Sequence, residues 1–180
     1  MELYSTRSDV ARTDLVDSNG FTIYRMITDS SFTKSKTIIS RFVPQGNYGP
    51  QPVVIAEIVW RNFHDDEITY RGQVHKAKSL IRNHGVWTDK REFTGQSGRA
   101  YVWRESVLSI ANGVEAARWH TKSHGIFSQA HQAYLQIFNG EVLNDLDDII
   151  LVMVYHFGKL AEDTNNAVAA GAAGGAVAAS

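Results

Sequence analysis

Seven histidines in 180 residues supply the first candidates for chemistry. His120 and His124 stand four apart and His131 follows seven later; three imidazoles converging beside a carboxylate would make a metal centre or an acid–base site. A four-residue spacing shares one face of a helix, as in an H-E-x-x-H pair, but Val114–Thr121 reads as a strand and no such motif occurs. His156 lies in an apolar run and reads as a buried, hydrogen-bonded core histidine.

The second set of candidates is basic and aromatic. Lys34, Lys36 and Arg41, together with Lys90 and Arg91 in a loop-like stretch, would form an anionic lipid or phosphate patch if the fold gathered them. Trp60, Trp103 and Trp119 fall inside strand-like runs and read as core, whereas Trp87, between Gly85 and Asp89, is the tryptophan placed to line a pocket. Gly95-Gln96-Ser97-Gly98-Arg99 resembles a phosphate-binding loop but lacks the lysine and the following helix, so it reads as a hairpin turn. Asp65-Asp66-Glu67 reads as a solvated turn, and Asp145 with Asp147-Asp148 as a helix start. G-x-S-x-G and Walker A motifs are missing. The chain has no cysteine, which excludes disulfides, thiolate-held metals and cysteine nucleophiles. A formal net charge of -1 argues against broad binding of nucleic acid.

The elements that must position these residues are mostly strands. Short β-branched and aromatic runs at 21–28, 36–42, 53–60, 67–70, 99–103, 106–111, 114–121 and 133–138 are separated by turn residues, the pattern of an all-β fold. Asn19-Gly20, Asn112-Gly113 and Asn139-Gly140 suggest type I′ hairpin turns, with Arg71-Gly72 a weaker example. No helical pattern separates these runs, so the sheet should be antiparallel. Val54, Ala56, Ile58 and Trp60 form one apolar row and should face the core, while Gln45–Pro52 reads as an exposed loop. Asp147–Glu162 contains seven consecutive apolar residues, Ile149–Tyr155, behind acidic first-turn residues, and predicts a helix that is apolar on every side. A sheet closing around that helix accommodates it better than a sandwich, which would leave one helix face wet.

The order of these pieces resembles uncharacterised fungal, mainly mushroom, proteins related to the tubby, LURP-one-related and phospholipid scramblase superfamily. The resemblance rests on Phe21–Thr28, Lys36–Arg41, Val54–Trp60, Gly98–Trp103, Ala117–Trp119 and Leu146–Tyr155. It implies a tubby-like antiparallel β-barrel of about twelve strands around a central C-terminal helix. The expected organisation is one mainly β domain over residues 1–163, its helix near 146–162, and a disordered Ala/Gly-rich tail over 164–180. The superfamily's better-known members bind phosphoinositides or associate with membranes. The basic pair that tubby proteins use has no matching position here.

The function expected is therefore a non-enzymatic binding or interaction module, with no catalytic residue and no cofactor, recognising an anionic phospholipid, a membrane surface or a protein partner and no nucleic acid. A histidine-based enzyme and a structural protein that self-assembles through its apolar tail are the alternatives. Met1–Gly20 has charged residues in place of a signal peptide's apolar stretch, and no segment reaches the roughly 20 apolar residues of a membrane span. A cytoplasmic address, peripheral to membranes, is the expectation.

Overall fold

The computed structural model describes residues 1–30, 35–61, 64–83, 90–123 and 131–175, the side chains of residues 30, 47 and 165–175 excepted. Its body is one antiparallel sheet of thirteen strands: β1 (Glu2–Ser5), β2 (Asp14–Val16), β3 (Thr22–Ser30), β4 (Ser35–Pro44), β5 (Pro50–Trp60), β6 (Glu67–Tyr70), β7 (Gln73–Lys76), β8 (Arg82–Asn83), β9 (Lys90–Thr94), β10 (Ala100–Arg104), β11 (Val107–Ile110), β12 (Glu115–His120) and β13 (Tyr134–Ile137). A short helix, α1 (Ala77–Leu80), links β7 to β8, and a long one, α2 (Leu146–Gly175), ends the described chain. The spatial order is β7-β6-β5-β4-β3-β2-β1-β13-β12-β11-β10-β9-β8. Two meanders thus meet at the β1–β13 ladder, where Glu2, Leu3 and Tyr4 oppose Gln136, Leu135 and Tyr134. The end strands β7 and β8 do not pair, so the sheet is open between them.

α2 lies against the inner face of this sheet. Ile149, Ile150, Leu151, Val152, Met153 and Val154 are all buried, so protein surrounds the helix on every side there, as its unbroken apolar sequence requires. Met26, Ile39, Ile58, Ile68, Trp103, Leu108 and Leu135 supply the facing layer from strands of both meanders. His156 is fully buried beside Trp103, and its Nε2 lies 2.8 Å from the Glu105 carbonyl oxygen. The helix continues to Gly175, past the expected end near 162 and into the stretch read as a tail. Alanines extend an existing helix at little cost, because the unfavourable nucleation step has already been met.

Three local expectations are corrected. At Asn19-Gly20 and Asn112-Gly113 the glycine alone has positive φ, +83° and +86°, and its N–H donates to the carbonyl three residues back. These are three-residue loops built on a type I turn, not type I′ turns. Asn139-Gly140 is no hairpin: the Asn139 side chain accepts from the Glu141 N–H and opens a 3-10 turn, Gly140–Asp145, that leads into α2. Arg71-Gly72 is the two-residue hairpin with both φ values positive, +52° and +74°. In β5, Ala56 and Ile58 face the core but Val54 is 55% exposed. A bulge between Ile39 and Ser40 leaves Ile55 without an opposite residue and turns Val54 outward. Pro50, Gln51 and Pro52 belong to β5, opposite Pro44, Val43 and Phe42, so the expected loop shrinks to residues 45–49. The prolines fit because β6 pairs only with Ala56–Val59, leaving that strand edge open.

Candidate functional site

Polar side chains converge where α2 begins, called the upper end below. Three tyrosines from three strands reach the three aspartates there. Tyr24 in β3 donates to Asp147 at 2.6 Å, Tyr70 in β6 to Asp148 at 2.8 Å and Tyr101 in β10 to Asp145 at 2.7 Å. The β9–β10 turn completes the arrangement. Ser97 donates its N–H (2.7 Å) and its hydroxyl (2.5 Å) to Asp145, and the Gln96 N–H donates to Asp148 at 3.0 Å. The loop that resembled a phosphate cradle therefore does bind anions, and they are the protein's own carboxylates. A Cβ at Gly95 would come within 2.5 Å of the Asp145 carboxyl carbon, so only glycine allows that approach.

Two of these carboxylates are held in opposite senses. Burial pushes Asp145 upward, but the hydrogen bonds from Ser97 and Tyr101 outweigh it and hold the group below the usual carboxylate range. At Asp148 burial wins over the help of Tyr70, Gln96 and Arg71, and the group is raised. The tyrosines are raised in turn, first by burial and then by the carboxylate each one meets, Tyr101 to about 12.

Beside this network, at the open side of the sheet, lies a cavity of about 250 Å³. Leu80 and Ile81 at α1, Phe93 of β9 and Leu151 and Val152 of α2 form its apolar lining, and Arg71, His75 and Asp148 add polar groups. Arg71 stacks over the Tyr70 ring at 4.7 Å and pairs with Asp148 at 3.1 Å.

Of the basic residues expected to form a patch, three pair with separate carboxylates. Lys36 of β4 pairs with Glu57 at 2.7 Å, Arg41 of β4 with Asp147 at 3.3 Å and Lys90 with Glu92 at 2.6 Å. Lys90 and Arg91 begin β9 and are not in a loop; Arg91 is buried. Lys34, Trp87 and His124 lie outside the described residues. His120 and His131 do meet, on one tyrosine: His120 stacks on Tyr134 at 4.3 Å and His131 meets it edge-on at 5.5 Å. Their ring nitrogens face the Gln136 side chain (3.1 Å) and the Gln132 carbonyl (2.9 Å). Among the described residues no group of three or more His, Asp or Glu side chains is placed to hold a metal ion.

Trp103 and Trp119 are buried and Trp60 half-buried, as core residues. Asp66, read as part of a solvated turn, is 4% exposed and pairs with Lys159 of α2 at 2.8 Å. Sequence spacing could not announce that partner, which lies 93 residues away.

The surface has its own asymmetry. Among the described residues ten large apolar side chains are exposed, and apart from Ile27 and Val74 they lie at the upper end. Phe21, Val114 and Phe138 flank strand ends there, Leu143 lies in the turn before α2, and Tyr48 and Val53 sit on the β4–β5 arm that projects past Arg41. Tyr48, at the tip of the arm, is 87% exposed. No helix among the described residues is long and apolar enough to cross a membrane.

No curated protein and no solved structure matches the chain. Residues 8–160 match the model of the family of unknown function DUF6593, a span that takes in every strand from β2 to β13 and the buried part of α2, and the chain belongs to that family.

Proposed function

We propose that this chain is a non-enzymatic docking module that settles its upper end on a membrane surface. The concentration of exposed apolar side chains at that end carries the reading, because monomeric surfaces rarely gather them without a use. Aromatic tips such as Phe21 and Tyr48 suit the boundary between water and lipid, and each tip that leaves water contributes about 2 kcal/mol. The anionic-lipid expectation changes in kind. Arg41, Arg71 and Arg99 at this end are each paired, with Asp147, Asp148 and Glu141, so contact through apolar tips takes precedence over attraction between charges. A histidine-based enzyme draws less support, since His120 and His131 share a tyrosine ring and not a pocket.

The same proposal extends to the architecture. Thirteen antiparallel strands with a helix buried on all sides favour a tubby-like barrel interrupted at the β7–β8 seam, in keeping with the superfamily and the fungal relatives named above and with a cytoplasmic, peripheral address.

Vesicle flotation tests the docking. Neutral phosphatidylcholine vesicles and phosphatidylserine-containing ones should both retain the chain, at low and at high salt. Phe21→Ser with Tyr48→Ser should abolish retention without changing thermal stability. Failure to float with either vesicle, or binding that needs the anionic lipid and vanishes in salt, would overturn the reading.

A further inference from the structure

The cavity at the open side of the sheet falls outside the docking proposal, and its chemistry selects a ligand. Its hydrocarbon lining comes from both sides of the seam and from α2, through Leu80, Ile81, Phe93, Leu151 and Val152. Among the lining residues Arg71 is the one permanent cation. Asp148 already accepts from the Tyr70 hydroxyl, the Gln96 N–H and Arg71 Nη2, so it has little to offer a ligand. The hydrogen bonds of Arg71, to Tyr70, Gln96 and Asp148, all run through Nη2. The Nε–H and the Nη1 amino group carry none of these bonds and are the donors the guanidinium offers an anionic head group. Gln73, His75 and Thr94 line the same cavity and can donate to a bound head group as well as accept from it.

The backbone points the same way. Arg71 sits at φ +52°, a left-handed conformation that asparagine and glycine occupy readily and arginine does not. The two-residue hairpin imposes that conformation, and it lays the Arg71 side chain over Tyr70 and beside the cavity mouth.

Volume sets the size. A cavity of about 150 Å³ holds benzene, so one of 250 Å³ has room for about ten non-hydrogen atoms. We propose that this cavity is a binding site for a small monoanionic amphiphile, a medium-chain carboxylate whose hydrocarbon lies against Leu151 and Phe93 and whose head is held by Arg71. The site requires no membrane, and it stands or falls separately from the docking of the upper end.

Calorimetric titration of the full chain with octanoate, octan-1-ol, octylammonium and acetate, in solution and without vesicles, tests it. Octanoate should bind saturably with a dissociation constant on the order of 1 mM or tighter. Octanol should bind about tenfold more weakly, octylammonium more weakly still, and acetate not measurably. Arg71→Gln should bring octanoate to the level of octanol. Leu80→Trp, which fills the cavity from its half-buried rim and leaves Arg71 in place, should abolish binding of both with the melting temperature kept. Absence of saturable octanoate binding overturns the proposal. So does equal binding of octanoate and octylammonium, or octanoate binding that survives Leu80→Trp.

Discussion

Gly158 opposes two effects whose sizes can be compared. It lies in α2, where alanine is favoured over glycine by about 1 kcal/mol on helix propensity alone. The structure predicts the reverse outcome for Gly158→Ala. A Cβ there would stand 2.5 Å from Cη2 of Trp60 and 3.0 Å from Cζ2. The indole has little freedom to move away: it lies parallel to Tyr155 (5.5 Å, 4°), donates from Nε1 to Thr37 at 2.8 Å and carries the Lys159 ammonium 5.5 Å over its face. Overpacking costs about 1–3 kcal/mol, and a lost indole hydrogen bond about 1 more. Set against the helix gain, the net loss is about 1–3 kcal/mol. For a chain of this length that lowers the melting temperature by about 2–4 °C per kcal/mol. Thermal unfolding followed by far-ultraviolet circular dichroism gives the shift, and the near-ultraviolet tryptophan band reports whether Trp60 has moved. In a Trp60→Leu background the clash is gone, so the same substitution should become neutral or stabilising. If Gly158→Ala stabilises the unaltered chain, the packing of Trp60 on α2 is not as described.

Asp145, depressed by its hydrogen bonds, contributes stability that is present above the ordinary carboxylate value of about 3.9 and is lost as pH falls through its lower folded value. Asp145→Asn should therefore cost about 2 kcal/mol at neutral pH, and urea unfolding as a function of pH should show the gap to the unaltered chain closing below about pH 4. Asp148, raised by burial, contributes with the opposite slope: its ionised form is disfavoured on folding, so Asp148→Asn should gain relative to the unaltered chain as pH rises through the acid range. Lys159→Met strands the buried Asp66 with only the Tyr155 hydroxyl and the Arg61 N–H; the urea midpoint should fall by the equivalent of about 2–4 kcal/mol, and Asp66→Asn in the same chain should recover part of it.

The strands that sequence made legible are those whose apolar alternation is intact, such as Glu67–Tyr70, and their pairing followed from short turns. β1, β2, β8 and β9 were not legible. Asp14–Val16 and Arg82–Asn83 are too short to show a period, and Lys90-Arg91-Glu92 hides a strand whose inward Arg91 looks like surface. The turn dipeptides misled because an asparagine before glycine serves a three-residue loop as well as a type I′ turn, whereas Arg71-Gly72 adopts the strained form under tertiary demand. At the upper end the aspartates were visible and assigned to the helix start. Their partners Tyr24, Tyr70 and Tyr101 were invisible, because a tyrosine with alternating neighbours reads the same whether its hydroxyl meets water or a carboxylate. The cavity could not be read at all, since it exists only where two sheet edges fail to meet.

The place of β1 bears on how the molecule is made. Each meander consists of strands that pair with their neighbours in sequence, and can begin to form as it is synthesised. The single ladder joining them pairs residues 2–4 with residues 134–136, and the helix that fills the interior comes later still. The first strand made must therefore wait for almost the last, with its edge uncovered and the inner face of its meander wet. Throughout synthesis the first half is a sticky intermediate, exposed to aggregation and to chaperones. A rare-codon pause or a truncation before Ile137 should harm this chain more than its modest size would suggest.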